Sequence, residues 1–404
     1  MKRRVFSIFL ALIMAFSFTM SFSFAEDAEG QETEAIENSE LANPDMEQDS
    51  TKSELEGEEE SAEPAAVGQV DGLNVTWDGT DVILSWNEVS GAEGYEVYRS
   101  HQSKAEDDFG FMADVSAQDE LTFTDPERDK QFVDIYRVRA YVTDQESGEK
   151  IYGDYSANAN SVKVASRIPI MTYHHLCAKN KFKKIRKYRS LYVKDSDFRS
   201  QMNWLKNNGW RTISTDEIAQ WYDNEIELPY KSTLITFDDG CYSVLKYAYP
   251  VLKANNQKAT IFMQGNKTGV KTNTSCSRGY KFKTIGKDKM EQIKDEYPNL
   301  EFQSHTWRMH DRIKKKKPIY KFTQAQIDED CNRMQETFGY TAIAYPWGTY
   351  TSRILSSLEQ NGNYKIGFTY GSNAYATKAQ NRFALKRIKV SGGASLKKFK
   401  KWFN

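Results

Sequence analysis

The sequence is poor in cysteine and histidine. Its 404 residues include four cysteines and five histidines. No two cysteines form a C-x-x-C pair, which argues against a structural zinc site. In an exported protein, Cys177, Cys241, Cys276 and Cys331 allow three disulfide pairings or four free thiols, and the spacing does not choose among them.

Long apolar runs are absent beyond residue 25. The one such run, residues 5–24, follows Lys2, Arg3 and Arg4 and leads to small residues at Ser23 and Ala25. This pattern is typical of a secretory signal peptide, here residues 1–25. An uncleaved membrane anchor is the alternative, because the run approaches spanning length. The acidic sequence that follows favours cleavage, so we expect a secreted protein with no transmembrane segment, free or held at the cell wall.

Aromatic residues are absent from residues 26–67, where 16 Asp and Glu face one Lys. Such a segment cannot bury enough apolar area to offset the entropy of ordering it, so it predicts an acidic disordered linker.

The net charge of −1 conceals a strong segregation of charge along the chain. Residues 26–67 carry −15, residues 68–165 carry −12 and residues 166–404 carry +23. A basic module outside the cell indicates an anionic partner, such as a cell-wall polymer, an acidic glycan, lipid headgroups or the acidic front of the same chain. Nucleic acid is not expected, since no nucleic-acid-binding motif is present and export argues against it. A solvated lysine surface is the alternative.

Short strands with alternating apolar and polar residues fill residues 68–165. The stretches D-V-I-L-S-W (81–86), G-Y-E-V-Y-R-S (94–100), F-V-D-I-Y-R-V-R-A-Y (132–141) and Y-G-D-Y-S (152–156) predict an all-β sandwich. The same stretches resemble a fibronectin type III domain, with Trp86 and Tyr136 at its core aromatic positions. Glycan binding by these aromatics is the alternative to core packing.

Strands and helices alternate from residue 166 to the end, which predicts an α/β domain with a parallel sheet, open or closed into a barrel. The first predicted strand is R-I-P-I-M-T-Y-H-H, beginning at Arg167. Further strands are predicted at 232–237, 258–264, 300–305, 342–346 and 364–369, and helices at 196–209, 214–222, 242–254, 287–296, 323–337 and 351–361.

Polar residues stand at the carboxyl ends of several of these strands, where functional groups gather in such folds. Four of the five histidines lie there: His174 and His175 after the first strand, and His305 and His310 in S-H-T-W-R-M-H. Asp238 and Asp239 follow T-L-I-T-F.

Two imidazoles and one carboxylate are suitable ligands for a divalent metal, zinc above all. A second carboxylate beside them is suited to act as a general base toward water. Neighbours on an extended strand end point to opposite sides, so we expect Asp238 and Asp239 to face different partners, with Gly240 allowing a sharp turn.

Three motifs resemble the polysaccharide deacetylase family, the NodB-homology carbohydrate esterases. T-F-D-D-G (236–240) matches the first motif and S-H-T-W-R-M-H (304–310) matches the longer form of the second. A-Y-P-W-G-T-Y (344–350) is similar to the third motif of exopolysaccharide poly-N-acetylglucosamine deacetylases. The likeness covers about residues 167–400 and implies a distorted (β/α) barrel of about seven strands.

The resemblance implies a role for each matching residue. Asp239, His305 and His310 become ligands of a divalent metal, zinc first, with cobalt or nickel as alternatives. Asp238 becomes the general base, and the backbone N–H of Trp347 stabilises the oxyanion. The side chains implied to contact substrate are Trp307, Tyr345, Pro346 and Trp347, with plain packing as the alternative for the two tryptophans.

The sequence departs from the family pattern at three points. No arginine that would orient the base precedes Tyr345. No histidine follows His310, because the last strand region reads F-A-L-K-R-I-K-V (383–390). The general acid is therefore open among His174, His175, the base itself and water. Cys241 stands where the family often has an aromatic residue.

Together these observations predict a secreted, metal-dependent N-deacetylase of N-acetylglucosamine-containing cell-surface polymers, either exopolysaccharide or peptidoglycan. Three alternatives are a catalytically inactive glycan-binding protein, an O-acetyl polysaccharide esterase, and an adhesin whose working part is the fibronectin-like module.

Overall fold

The computed structural model describes residues 66–186, 188–272, 283–311, 316–371 and 374–404. The predicted signal peptide and nearly all of the predicted acidic linker lie outside the described residues. Among the described residues, no helix combines the length and the apolar character needed to cross a membrane.

Eight antiparallel strands form two sheets between residues 74 and 160. Every second residue of the second strand is buried, as the alternating pattern predicts for a sheet with one face on a core. The strands are β1 Asn74–Asp78, β2 Asp81–Ser85, β3 Gly94–His101, β4 Gly110–Ser116, β5 Thr122–Asp125, β6 Asp134–Thr143, β7 Lys150–Tyr152 and β8 Ala159–Asn160. One sheet has the order β1-β2-β5, the other β4-β3-β6-β7 with β8 pairing β6.

The core between these two sheets is aromatic and aliphatic. Trp86 and Tyr136 are both buried in one cluster with residues of β2, β3 and β6. The Tyr136 hydroxyl donates a hydrogen bond to Asp125 Oδ2 at 2.7 Å. The predicted sandwich is confirmed, and the two aromatic residues pack in its core rather than facing a glycan.

A parallel sheet forms the second part of the molecule. The strands are β9 Ile170–Tyr173, β10 His175–Cys177, β11 Tyr192–Lys194, β12 Arg211–Thr212, β13 Ser232–Phe237, β14 Ala259–Met263, β15 Leu300–Ser304, β16 Ala342–Ala344, β17 Ile366–Phe368 and β18 Ile388–Lys389. Seven of them follow the order β17-β16-β15-β14-β13-β9-β18, β12 pairs β13, and β10 and β11 form a separate pair.

The two ends of this sheet meet through the segment before β18. Leu385 pairs in parallel with Phe368 of β17, and Ile388 of β18 pairs with Met171 of β9. All six residues of β13 are buried, as is usual for a strand covered on both faces. The distorted (β/α) barrel is therefore confirmed.

Helices cover the outside of the barrel at α1 Lys179–Phe182, α2 Asp195–Asn207, α3 Thr215–Tyr222, α4 Tyr242–Tyr247, α5 Tyr249–Asn255, α6 Lys287–Glu296, α7 Gln324–Phe338, α8 Ser352–Asn361 and α9 Leu396–Lys400. A capping box of Ser214 and Glu217 begins α3. The single helix predicted over 242–254 is wrong, because the helix breaks at Ala248 and Pro250 occupies the first turn of α5.

Candidate metal centre and active site

The carboxyl ends of four parallel strands meet at one edge of the barrel. His174 follows β9, Asp238 follows β13, His305 follows β15 and Tyr345 follows β16. Because β9 pairs with β13, β13 with β14, β14 with β15 and β15 with β16, all in parallel, these strand ends share one side of the sheet. The predicted convergence of polar residues at the strand ends is confirmed.

Asp238 and Asp239 diverge through a sharp turn and not through an extended strand end. Asp239 has φ 75° and Gly240 has φ 58°, so two successive residues are left-handed. The positive φ favours glycine at position 240, and a Cβ there would lie 2.9 Å from Met263 Sδ, so that the methionine side chain would have to shift. The expected divergence is observed, and its cause is this turn.

Asp239, His305 and His310 form a compact cluster in which one ligand atom of each lies within 4.8 Å of the others. The Nε2 atoms of His305 and His310 are 3.5 Å and 3.0 Å from Asp239 Oδ1. The Nδ1 atom of His305 is 2.7 Å from the Ala344 carbonyl oxygen, and this contact requires the proton on Nδ1 and directs the Nε2 lone pair at Asp239.

The electrostatics of this cluster keep its carboxylate ionised, as a metal ligand requires. Burial raises the pKa of Asp239, but the neighbouring His310 and His305 outweigh burial and hold that pKa well below its usual range. An ionised carboxylate and two imidazoles in contact match the donor set of zinc and of similar divalent ions. These three residues could hold such an ion.

Two groups that the sequence did not indicate support the cluster, one at the loop that carries His310 and one at Asp239. Asp330 of α7 accepts hydrogen bonds from the backbone N–H groups of Trp307 and Arg308, at 2.7 Å and 2.8 Å. Gln264 donates to Asp239 Oδ1 at 3.0 Å. The first anchors the loop and the second orients the carboxylate.

Arg387 pairs with Asp238 in the interior of the barrel. Its Nη1 and Nη2 atoms donate to Asp238 Oδ1 and Oδ2 at 2.8 Å and 2.9 Å. Its Nε donates to the Thr369 carbonyl at 2.5 Å, and its side chain is fully buried. Burial raises the pKa of Asp238, but the Arg387 charge and its hydrogen bonds lower it below its usual range, so Asp238 is ionised at neutral pH.

This arginine was missed at the sequence level, where a base-orienting arginine was sought before Tyr345. It stands directly before β18, in the stretch 383–390, which contains no histidine. Asp238 and Arg387 are 149 residues apart in sequence. The available signal was an arginine among the apolar residues of this stretch, because a guanidinium buried there needs a carboxylate partner.

The two candidate acids, His174 and His175, differ in position. His174 is half-buried, and its ring contacts Tyr370 at a centroid distance of 5.1 Å. His175 is buried and stacks on Tyr192 at 4.7 Å. Burial lowers the pKa of His174 and lowers that of His175 to about 4. Both imidazoles are therefore neutral at neutral pH.

The Pro346–Gly348 segment forms a single turn beside the cluster. Trp347 has φ 58°, and its ring lies 4.6 Å from the His310 ring between centroids. The turn thus places Trp347 next to the candidate metal ligands, while the Pro346 side chain is buried.

Within the described part of the chain, the buried Tyr370 hydroxyl has no hydrogen-bond partner.

Two residues expected to bind substrate make packing contacts, and the substrate role of the half-buried Trp307 stays a prediction. Tyr345 is fully buried and donates to the Phe383 carbonyl at 2.6 Å, which leaves its side chain no surface for a substrate. The Trp307 ring packs against Gly265, where a Cβ would lie 2.4 Å away, and the Arg333 guanidinium lies 4.1 Å from its centroid. The packing alternative accounts for the Trp307 contacts.

Cys177, Cys241 and Cys331 are buried, and none of these three described cysteines is bonded to another of them. Cys276 lies outside the described residues, so any disulfide that involves it stays a prediction.

Comparisons with known proteins show similarity to polysaccharide deacetylases. Residues 225–366 match the family model described as polysaccharide deacetylase. A putative polysaccharide deacetylase, YxkH, of Bacillus subtilis (strain 168) is 30% identical over 249 residues, which are 61% of this chain and 79% of the relative. A poly-beta-1,6-N-acetyl-D-glucosamine N-deacetylase of Staphylococcus aureus (strain MRSA252) is 26% identical over 230 residues, 55% of this chain and 75% of the relative.

A solved polysaccharide deacetylase of Bacillus cereus superposes with a TM-score of 0.51. It is 16% identical and covers 83% of this chain and 100% of its own, so it supports the fold alone.

Proposed function

The chain belongs to the polysaccharide deacetylase family, whose members hydrolyse N-acetyl amide bonds, and from this premise we propose a more specific activity. The protein is a secreted, metal-dependent N-deacetylase of N-acetylglucosamine-containing cell-surface polymers. Residues 68–165 form a fibronectin type III-like domain and residues 166–404 the catalytic domain. The observation that carries the proposal is the pair of neighbouring carboxylates with separate partners, Asp239 with two imidazoles and Asp238 with Arg387.

Asp239, His305 and His310 would hold the metal. A divalent ion there, zinc by its donor set, supplies Lewis-acid polarisation of the acetyl carbonyl and of a water. The chain supplies the remaining groups. The backbone N–H of Trp347 donates to the carbonyl oxygen as negative charge develops on it.

Asp238 transfers a proton from the attacking water to the departing amine. Its carboxylate accepts a proton from the water that attacks the acetyl carbon, and the bond between the carbonyl carbon and nitrogen breaks. Asp238 then returns the proton to the departing amine, so that acetate and a free amine result. This assignment is preferred to His174 or His175 as the acid because burial holds both imidazoles neutral.

The proposed polymer is poly-β-1,6-linked N-acetylglucosamine. Support comes from the S. aureus relative, which is named for that substrate and matches this chain over 230 residues. The charge of +23 on residues 166–404 suits a protein held near an anionic wall or glycan polymer. The signal-like residues 1–25 support secretion.

The experiment is acetate release from β-1,6-linked N-acetylglucosamine oligomers by the full chain, with zinc added and with a chelator control. We expect acetate and an equal amount of free amine, both lost with the chelator. Acetate without amine would indicate an O-acetyl esterase instead. Bound metal without acetate from β-1,6-linked, chitin-type or peptidoglycan substrates would favour a glycan-binding protein.

Two variants separate the proposed roles. Asp239→Asn should lose both metal and activity, whereas Asp238→Asn should keep the metal and lose about 10²–10⁴-fold in turnover. Asp223→Asn is the matched control, because Asp223 pairs with Arg382 at the surface. Full turnover in Asp238→Asn would contradict the assigned base.

A further inference from the structure

A second group of side chains that could bind a metal shares Asp239 with the first. His175, Asp239 and Cys241 each offer a ligand atom, and these atoms all lie within 4.8 Å of one another. The Sγ atom of Cys241 is 3.8 Å from His175 Nε2. His175 and Cys241 do not belong to the proposed catalytic cluster, and the family resemblance gives no role to Cys241.

The fold holds both new residues rigidly. His175 begins β10 and stacks on the Tyr192 ring with an angle of 22° between the planes. Cys241 is 1% exposed and forms a backbone bridge with Thr284, directly after the left-handed Asp239–Gly240 turn. The turn that aims Asp239 at His305 and His310 therefore also brings Cys241 beside it.

We propose that His175, Cys241 and Asp239 form a second metal site for a thiophilic divalent ion such as zinc, with Asp239 shared between the two sites. The inference rests on the first site assigned under the proposed function. It adds a bridging carboxylate and a thiolate ligand.

The observed distances suit this ion. With a Zn–S distance of about 2.3 Å, a Zn–N distance of about 2.0–2.1 Å and tetrahedral angles, sulfur and nitrogen are about 3.6 Å apart. The observed 3.8 Å needs only a small adjustment. A thiol–imidazole hydrogen bond would explain the distance between Cys241 Sγ and His175 Nε2. It would not explain the Asp239 carboxylate, which lies within 4.8 Å of both atoms. Imidazole and thiolate together favour zinc, cadmium or cobalt over magnesium or calcium.

The test is a titration of the metal-free full chain with Co²⁺, which reports thiolate coordination through a sulfur-to-cobalt charge-transfer band. We expect two equivalents of bound cobalt in the unmodified chain, together with that band. Cys241→Ser should bind one equivalent without the band. Cys331→Ser is the matched control, since Cys331 is also buried but lies on α7 in a separate core cluster and should leave both equivalents and the band unchanged.

A second variant distinguishes loss of the second site from misfolding of the protein. His175→Gln should likewise bind one equivalent, and the equivalent retained in either variant shows that the first site is folded. His310→Ala should lose the first equivalent and keep the thiolate band. A single equivalent in the unmodified chain, or two equivalents and the band in Cys241→Ser, would overturn the second site. These readouts do not depend on deacetylation, so an inactive protein would leave the inference testable.

Discussion

The Asp238–Arg387 pair should make a large, measurable contribution to folding. The substitution Arg387→Met removes the guanidinium and keeps an unbranched side chain of similar length. It leaves the Asp238 carboxylate buried, at 3% side-chain exposure, without its two hydrogen bonds of 2.8 Å and 2.9 Å.

The magnitude follows from the burial of both charges. Removing one partner of a buried ion pair costs about 3–5 kcal/mol, because the remaining charge loses its compensation. The exposed pair of Arg382 and Asp223 provides the matched control, since both side chains are about one-third exposed. Arg382→Met should cost only about 0–1 kcal/mol, because water and salt screen a surface pair.

The assay is urea unfolding of the metal-free full chain. At a slope of about 3 kcal/mol per molar, a loss of 3 kcal/mol lowers the midpoint by about 1 M. The double variant Asp238→Asn with Arg387→Met removes both charges. Its loss should be smaller than the sum of the single losses by about 1–3 kcal/mol.

Activity provides a second measure of the same pair. The Arg387 charge holds the pKa of Asp238 low, so the acidic limb of the pH–turnover profile should move to higher pH in Arg387→Met. An unfolding free energy within 1 kcal/mol of the parent, together with an unshifted profile, would refute the reasoning, as would strictly additive losses in the double variant.

Three further predictions concern the rest of the molecule. Burial raises the pKa of Glu96, but hydrogen bonds from its neighbours outweigh burial and set that pKa to about 2. The free energy of unfolding of the sandwich should therefore fall by about 2–3 kcal/mol as the pH falls from 4.5 to 2. Glu96→Gln should remove this pH dependence, as measured by urea unfolding. Ser214→Ala breaks the capping box of α3 and should cost about 0.5–2 kcal/mol by the same assay, whereas an unchanged midpoint would show that the cap is dispensable. Tyr345→Phe leaves the buried Phe383 carbonyl without its donor and should cost about 1–3 kcal/mol with an unchanged KM, and a raised KM would return Tyr345 to the substrate site.

Much of the fold was predictable because its signals are local. The boundaries of β13 and α6 match the predicted 232–237 and 287–296, since apolar runs and helical periodicity depend on neighbouring residues alone. The break at Ala248 was also visible, because Pro250 stands in the sequence, and it was overlooked. In the sandwich the last predicted strand, 152–156, only touches the observed β7 at Tyr152.

The edge of the barrel at which the site lies was likewise predictable. Parallel strands present their carboxyl ends on one side, so a histidine or aspartate directly after a strand is placed by its position in the chain. This rule alone brings Asp238, Asp239 and His305 together before any contact is known, whereas His310 joins them through the loop that Asp330 anchors.

Only the tertiary structure decided which side chains meet at that edge. The partner of Asp238 is set by barrel closure, which brings β18 beside β9 and thereby a residue 149 positions away into a bidentate contact. The direction of Asp239 depends on a left-handed turn, a conformation that most residue types avoid and that its two-residue pattern does not reveal. The burial of Tyr345 depends on a carbonyl from a distant segment. The types and spacing of the residues determined which functional groups this protein has. The packing of segments that are remote in sequence determined which of these groups contact each other.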